Sequence, residues 1–142
     1  MRSLPVLAIT VAAAVLAGCG GSGDEAGVCA NDDGALNKSP FVFVQIPSSG
    51  ERVSSGFRVS GCSSTFEANV TWHLRGRDGR ELASGFTTTT AGSLRPGPYR
   101  FKVAYSIRAS QIGTLEVGSP SASSGEGFPT ATDVVPLVLA EA

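Results

Sequence analysis

The sequence predicts an all-β domain: an antiparallel β-sandwich of about seven strands, preceded by a signal peptide and a flexible tether. From Pro40 onward, apolar and polar residues alternate with a period of two, which is the period of a half-buried strand. Glycine, proline and aspartate interrupt this alternation at short intervals. Once the N-terminal segments are set aside, about 100 of the 142 residues remain, which is enough for a small sandwich.

The clearest predicted strand covers residues 66–75. Its inward residues are Phe66, Ala68, Val70, Trp72 and Leu74, and its outward residues are Glu67, Asn69, Thr71, His73 and Arg75. The pair Asp78-Gly79 follows and favours a tight hairpin. We therefore expect residues 81–89 to return antiparallel to this strand, with Trp72 in the core.

A second clear strand is predicted over residues 99–108. Its inward residues are Tyr99, Phe101, Val103, Tyr105 and Ile107, and its outward residues are Arg100, Lys102, Ala104, Ser106 and Arg108.

Four shorter runs complete the set of seven strands. They are residues 41–46, 56–60, 113–117 and 133–139, and turns or loops are predicted at 47–50, 94–98 and 119–129. Seven short strands with regular turn signals fit an immunoglobulin-like sandwich. An up-and-down barrel is the alternative, because alternation alone does not distinguish the two architectures.

The N-terminus predicts export. Arg2 precedes fourteen uncharged residues, Leu4 to Ala17, which are too few for a helix that spans a bilayer of ~30 Å. This segment ends in Leu16-Ala17-Gly18-Cys19, which resembles the lipobox of bacterial lipoproteins. The resemblance implies that residues 1–18 are removed, that Cys19 is acylated, and that the chain is extracytoplasmic and anchored to the bacterial cell membrane. Ordinary secretion with an incidental Cys19 is the alternative.

Residues 19–39 form the predicted tether, and residues 40–140 form the domain. The tether begins with a glycine-rich, acidic run and carries a net charge of −3, so we expect it to stay off an anionic membrane surface. The domain carries nine basic and seven acidic residues, a net charge of +2.

Two cysteines remain after Cys19. In an oxidising compartment, Cys29 and Cys62 are predicted to form a disulfide that fastens the tether to the domain. Free thiols or a metal pair are the alternatives, although a closed zinc site lacks ligands because His73 is the single histidine.

Five segments carry a resemblance to a known family. They are Ile46-Pro47 with Gly50 and Val53; Val59-Ser60-Gly61; Phe66-Glu67-Ala68-Asn69-Val70; Asp78-Gly79 with Leu82; and Val134 to Val138. Together they resemble the Gmad2 domain, an immunoglobulin-like module of sporulation and spore-germination proteins, over residues 41–140. The sequence departs from the family at Ser55-Gly56-Phe57, where proline is frequent, and at Cys62. The resemblance implies the fold and an extracytoplasmic location, and it transfers no catalytic residue.

The sequence contains no Gly-x-Ser-x-Gly, Ser-x-x-Lys, Gly-x-x-x-x-Gly-Lys or His-Glu-x-x-His motif. His73 is expected on an outward strand face. Glu67 and Glu81 are expected about 30 Å apart from the hairpin register, with Glu81 opposite Gly76, too far for a carboxylate pair. The run Asn31 to Gly34 predicts a turn rather than a calcium loop. We therefore predict a protein that is not an enzyme, with no catalytic residue, cofactor or metal site.

The candidate binding residues are basic and lie on outward strand faces. They are His73, Arg75, Arg100, Lys102 and Arg108. If their two strands share a sheet, these residues form one cationic face that could bind an anionic wall polymer. A solvated face with no ligand is the alternative.

The resulting functional hypothesis is a non-catalytic, lipid-anchored module that interacts with another component of the cell envelope, either a protein or an anionic wall polymer, and not with nucleic acid. One alternative is an enzyme, or a subunit of one, that acts on cell-wall polymer through Glu67 and His73. Another is a carrier of a small ligand, which requires a sizeable apolar pocket.

Overall fold

The computed structural model describes residues 27–120 and 130–141. The signal peptide, Cys19, the first part of the tether and the greater part of the predicted loop 119–129 lie outside the described residues. A 3-10 turn covers Gly27–Cys29. The strands are β1 (Phe41–Ile46), β2 (Arg52–Val53), β3 (Phe57–Ser64), β4 (Asn69–Arg75), β5 (Glu81–Thr88), β6 (Gly97–Val103), β7 (Gln111–Gly118) and β8 (Thr132–Leu139).

The strands form two sheets that pack face to face. One sheet has the order β1-β3-β6 and the other has the order β2-β8-β7-β4-β5. The pairs are antiparallel except for β2, which runs parallel to β8. Two separate sheets confirm the predicted sandwich rather than a barrel. Strand β2 was not predicted, because two residues are too few to show alternation.

The segment before β4 differs from the prediction. The strand begins at Asn69 rather than at residue 66, since Ala68 has a φ of +58° and the Phe66 and Ala68 carbonyls accept hydrogen bonds from Ser93 and Thr89. Phe66 is 50% exposed, so its predicted inward position was wrong. The expected core positions farther along β4, Val70, Trp72 and Leu74, are all buried.

The second long strand is shorter than predicted. Strand β6 ends at Val103, which pairs with Phe57, the first residue of β3, so the chain beyond it has no strand beside it. The Tyr105 and Ile107 side chains are nevertheless buried, as the alternation predicted. The Tyr105 hydroxyl lies 2.8 Å from the Val53 carbonyl oxygen and 2.9 Å from that of Ala140. This side chain therefore ties the chain after β6 to the ends of β2 and β8.

The predicted hairpin at Asp78-Gly79 is confirmed. Gly76 N–H donates to the Arg80 carbonyl at 2.9 Å, and Gly79 has a φ of +77°, which glycine adopts without strain. Glu81 pairs with Arg75 rather than with Gly76, because the β4–β5 register shifts between Leu74 and Arg75.

The core fills the space between the sheets. Its fully buried leucines come from β4, β7 and β8, and they are Leu74, Leu115, Leu137 and Leu139. Trp72 stacks on Phe101 of the opposite sheet with the ring centroids 5.0 Å apart. Gly85 lies beside Trp72 on β5, where a Cβ atom would come within 2.7 Å of the indole ring, so this position requires glycine.

The disulfide between Cys29 and Cys62 is confirmed, with the two Cα atoms 5.4 Å apart. On β3, Val59 is part of the core, whereas Cys62 belongs to the alternate set of residues that faces away from it. The bond therefore attaches the tether to the outer face of the three-stranded sheet, where the 3-10 turn contacts β3 and β6.

Strand directions give the sandwich two distinct ends. The tether end contains the starts of β1 and β6, the last residues of β3, and Cys62. At the other, which we call the far end, lie the hairpin 76–80, the connection 104–110 and the end of β8.

Candidate anion-binding site

The five basic residues proposed as one cationic face do not form one. Strand β4 belongs to the five-stranded sheet and β6 to the three-stranded sheet. The outer faces of a sandwich point in opposite directions, so His73 and Arg75 face away from Arg100 and Lys102. The condition for a single cationic face, that these strands share a sheet, is therefore not met, and Arg108 lies on no strand.

On the five-stranded sheet, the predicted cations have carboxylate partners. His73 Nδ1 lies 2.7 Å from Glu81 Oε2, and Arg75 Nε lies 3.4 Å from Glu116 Oε2. The hydrogen bond from His73, followed by one from Ser84, lowers the pKa of the Glu81 carboxyl. Local pairing therefore balances the basic charge on this face.

The same cluster juxtaposes a serine, a glutamate and a histidine without the geometry of nucleophilic catalysis. Ser84 Oγ donates to Glu81 Oε1 at 2.8 Å, and the imidazole contacts the other oxygen of that carboxylate. Glu81 accepts from this hydroxyl, but the hydrogen bonds that lower its pKa make it a weak base, and the imidazole hydrogen-bonds the carboxylate rather than the serine. Glu67, the other residue of the enzyme alternative, precedes β4, whereas His73 lies four residues into that strand, about 13 Å from its start.

On the three-stranded sheet, Arg100 and Lys102 have a basic neighbour that sequence analysis missed. Arg58 of β3 lies directly opposite Lys102, and Arg100 lies opposite Ser60. All three basic side chains are exposed. The three strands of this sheet contain no aspartate or glutamate.

Arg108 instead lines a cleft at the far end of the sandwich. The cleft has a volume of about 670 Å³ and opens between the β4–β5 hairpin and the connection from β6 to β7. Arg77 and Arg80 line it from the hairpin, and Arg108 lines it from the connection. Asp78 is the single acidic residue of the lining, which gives the cleft a net charge of +2.

Backbone hydrogen bonds hold the hairpin side of this cleft. Gln111 Oε1 accepts from Arg77 N–H at 3.2 Å, and Asp78 Oδ1 accepts from Arg80 N–H at 3.1 Å. In the described part of the chain, none of the three cleft arginines forms an ion pair. A guanidinium group presents planar donors that match two oxygens of a carboxylate or phosphate, so three of them around one opening form a candidate anion site.

Arg77 and Arg80 are not among the predicted binding residues, because they do not lie on an alternating strand face. These two arginines flank the turn instead, in the sequence Arg77-Asp78-Gly79-Arg80. The tertiary fold brings them to Arg108, roughly thirty residues later. The available signal was the hairpin itself, which was predicted and which carries basic residues on both sides.

A second cleft lies at the tether end, with a volume of about 580 Å³, and Lys38 and Arg95 are among its lining residues. Beside it, Asn31 to Gly34 form the predicted turn, with Gly34 N–H donating to the Asn31 carbonyl at 3.0 Å. Across residues 27–120 and 130–141, no three histidine, cysteine, aspartate or glutamate side chains come together as a metal site. No helix in these ranges is long and apolar enough to cross a membrane.

Comparison with known proteins gives one family match. The model of Gmad2, described as the immunoglobulin-like domain of bacterial spore germination, matches residues 41–126, more than half of the chain, a range that includes β1 to β7. No curated protein matches the sequence. Among solved structures, the crystal structure of CopC from Methylosinus trichosporium OB3b is similar at 11% sequence identity and a TM-score of 0.44. That similarity covers 72% of this chain and 95% of the CopC chain.

Proposed function

The chain belongs to the Gmad2 family of immunoglobulin-like domains, and on that premise we propose that it is a non-catalytic binding module of the cell envelope. In this proposal, a lipid on Cys19 anchors the chain to the bacterial membrane. The domain then binds an anionic group of another envelope component in the cleft of Arg77, Arg80 and Arg108.

The cleft carries this proposal. Three arginines converge on one opening against a single aspartate, and the backbone N–H of Arg80 already occupies an oxygen of that aspartate. Exposed ion pairs contribute only about 0.2–1 kcal/mol each, so useful affinity requires several contacts to one ligand. A polymer with repeated phosphate or carboxylate groups meets that requirement better than a single small anion.

The positions of the tether and the cleft support an anchored binding role. The disulfide leaves nine residues between Cys19 and Cys29, which span a root-mean-square distance of about 17 Å if they are flexible. Strand β4 adds about 20 Å between the tether end and the far end. The cleft would then lie within roughly 40 Å of the membrane surface, where envelope polymers and envelope proteins are present.

Two observations favour binding over the alternatives. The imidazole of His73 contacts the Glu81 carboxylate rather than the Ser84 hydroxyl, and the lowered pKa of Glu81 makes that carboxylate a weak base for a serine proton. Among the described residues, leucine and aromatic side chains pack between the sheets, where a carrier of a small ligand would need an open pocket. Turnover of wall fragments that is lost in Glu67→Gln would overturn the non-catalytic proposal.

Binding is tested with a chain that carries Cys19→Ser, using labelled polyphosphate and labelled poly-glutamate as probes in fluorescence anisotropy. We expect binding to at least one probe, with an affinity that falls as salt is raised. The double variant Arg77→Gln/Arg80→Gln should bind about tenfold more weakly, because two exposed ion contacts are lost.

The matched control is Arg58→Gln/Lys102→Gln, which removes the same charge from the three-stranded sheet. It should retain the affinity of the parent within about twofold, since it leaves the cleft intact. Equal losses of affinity in both double variants would assign binding to the net charge of the domain and overturn the proposal that the cleft binds the anion. Binding that does not depend on salt would do the same.

Anchoring is tested separately by metabolic labelling with a fatty acid. We expect label on the parent chain and none on Cys19→Ala. Unchanged membrane retention of that variant would overturn the anchor.

A further inference from the structure

The outer face of the three-stranded sheet combines exposed apolar and basic side chains. Phe43 is 50% exposed and Ile46 is 46% exposed on β1. Arg58, Arg100 and Lys102 are exposed on β3 and β6. We call these five residues the basic-apolar face.

The strand register places these residues in successive rows of one surface. A row here is a set of residues that pair directly across the three strands. Phe43 pairs with Cys62 in one row, and in the next outward row Ile46 pairs with Ser60, which pairs with Arg100. Arg58 and Lys102 form the row after that, directly opposite each other. The strand spacing and the rise per residue place Ile46 roughly 10 Å from Arg100 and about 8 Å from Arg58 on one side of the sandwich.

This composition is not explained by folding. Like charges directly opposite each other on paired strands destabilise a sheet. On the five-stranded sheet, the outward basic residues of β4 lie beside Glu81 and Glu116, whereas the three-stranded sheet contains no acidic residue. Arg58 and Lys102 thus lie directly opposite each other on strands without a carboxylate, and two large apolar side chains on the same face are about half exposed.

The point at which the tether joins the domain indicates what this face meets. Cys62, bonded to Cys29, lies on the same face, in the row of Phe43. We propose that the basic-apolar face contacts the anionic lipid surface to which the chain is anchored. This proposal rests on the lipid anchor at Cys19 proposed above.

The chemistry fits an interfacial contact. Anionic headgroups attract lysine and arginine within about a Debye length, ~8 Å at physiological salt. Phe43 and Ile46 can enter the boundary between headgroups and acyl chains. The tether carries a charge of −3 and opposes this attraction, so the two apolar side chains add to what the cations contribute.

This orientation leaves the anion cleft accessible. The hairpin that carries Arg77 and Arg80 belongs to the five-stranded sheet, on the opposite side of the sandwich, and it lies at the far end. A domain that lies on lipid through the basic-apolar face would therefore leave the cleft at the end of the sandwich rather than on the side that meets the membrane.

The test is flotation of the Cys19→Ser chain with vesicles of phosphatidylglycerol and phosphatidylcholine, compared with vesicles of pure phosphatidylcholine. We expect partitioning onto the anionic vesicles only. Each basic side chain near an anionic surface is worth about fivefold in partitioning, so Arg58→Gln/Lys102→Gln should lower it about 30-fold. Phe43→Ser should also lower it, and circular dichroism of each variant verifies that the domain is folded.

The control is Arg77→Gln/Arg80→Gln, which has the same net charge as Arg58→Gln/Lys102→Gln. It should float with anionic vesicles like the parent. Absence of flotation by the parent, equal flotation with pure phosphatidylcholine, or equal losses in both double variants would overturn the proposal. Capture of a purified envelope protein through Arg58 and Lys102, without vesicle binding, would assign the face to a protein and overturn it as well.

Failure of this proposal can be distinguished from failure of the anchor or of the cleft. Because the tested chain has no lipid, vesicle binding by it stands even if labelling shows no acylation of Cys19. A loss of polyphosphate binding in the cleft variant, with flotation unchanged, keeps the two surfaces distinct.

Discussion

Removal of the disulfide should destabilise the domain strongly. Cys29 and Cys62 are 33 positions apart, so their bond closes a loop of 34 residues. In the chain-entropy account, a loop of this length restricts the unfolded chain by about 3–4 kcal/mol at 25 °C. We choose the double variant Cys29→Ala/Cys62→Ala, because serine at the buried position 62 would introduce a buried hydroxyl. Its free energy of unfolding should be about 3–4 kcal/mol lower than that of the parent.

The assay is urea unfolding followed by far-ultraviolet circular dichroism. With an m value of about 1.5 kcal/mol/M, the midpoint should fall by roughly 2 M while the native spectrum is retained. The spectrum persists because Cys62 keeps its backbone pairing with Phe43 and Pro98. Hydrogen exchange should also quicken in residues 27–39, which the bond fastens to β3, and remain slow in β4 and β7.

The control is Cys19→Ala, which leaves the disulfide intact and should unfold at the midpoint of the parent. A decrease of less than about 1 kcal/mol in the double variant would refute the reasoning, because it would mean that the segment before β1 is held by packing and the closed loop adds little.

Three further outcomes follow from single contacts. Tyr105→Phe removes the hydroxyl shared by two carbonyls and should lower the free energy of unfolding by about 1–2 kcal/mol in the same urea assay, whereas an unchanged midpoint would show that water replaces it. Gly85→Val should cost about 1–3 kcal/mol and shift the fluorescence of Trp72, which lies against that position; an unshifted spectrum would contradict the packing. The Glu81 carboxyl should titrate by NMR with a pKa below 4.5. This pKa should rise in His73→Ala, because the hydrogen bond from His73 is the largest cause of the lowered pKa. Its contribution to stability is then present above pH 4.5 and is lost as the pH falls through the lowered value, so identical titrations in the two proteins would contradict the pairing.

Alternation predicted where side chains point better than it predicted where strands pair. Residues 99–107 alternate throughout, and Tyr105 and Ile107 are buried as expected, yet β6 ends at Val103. Burial depends on the direction of a side chain, which alternation records. Pairing depends on a neighbouring strand, and β3 begins at the residue opposite Val103. Phe66 is an exception, since it continues the alternation of β4 in the sequence but lies before the strand and is half exposed.

The candidate sites show a similar limit. Sequence analysis identified outward residues correctly on β4 and β6, and it identified the hairpin that carries Arg77 and Arg80. It could not assign the strands to sheets, because a period of two distinguishes inside from outside but does not identify the partner strand. The five proposed cations consequently separated into an ion-paired set, a set on the basic-apolar face, and Arg108 in the cleft.

By itself, the sequence determined the all-β sandwich, the hairpin at Asp78-Gly79, the buried Trp72 and the disulfide partners, since each follows from local residue order, turn chemistry or cysteine number. It also predicted, through the motif ending in Cys19, where an anchor would attach. Only the tertiary structure decided which basic residues are neighbours, because β-strand neighbours are chosen by long-range pairing. That pairing separates Arg75 from Arg100 and brings Arg77 to Arg108, and it joins the tether to the same face as Phe43.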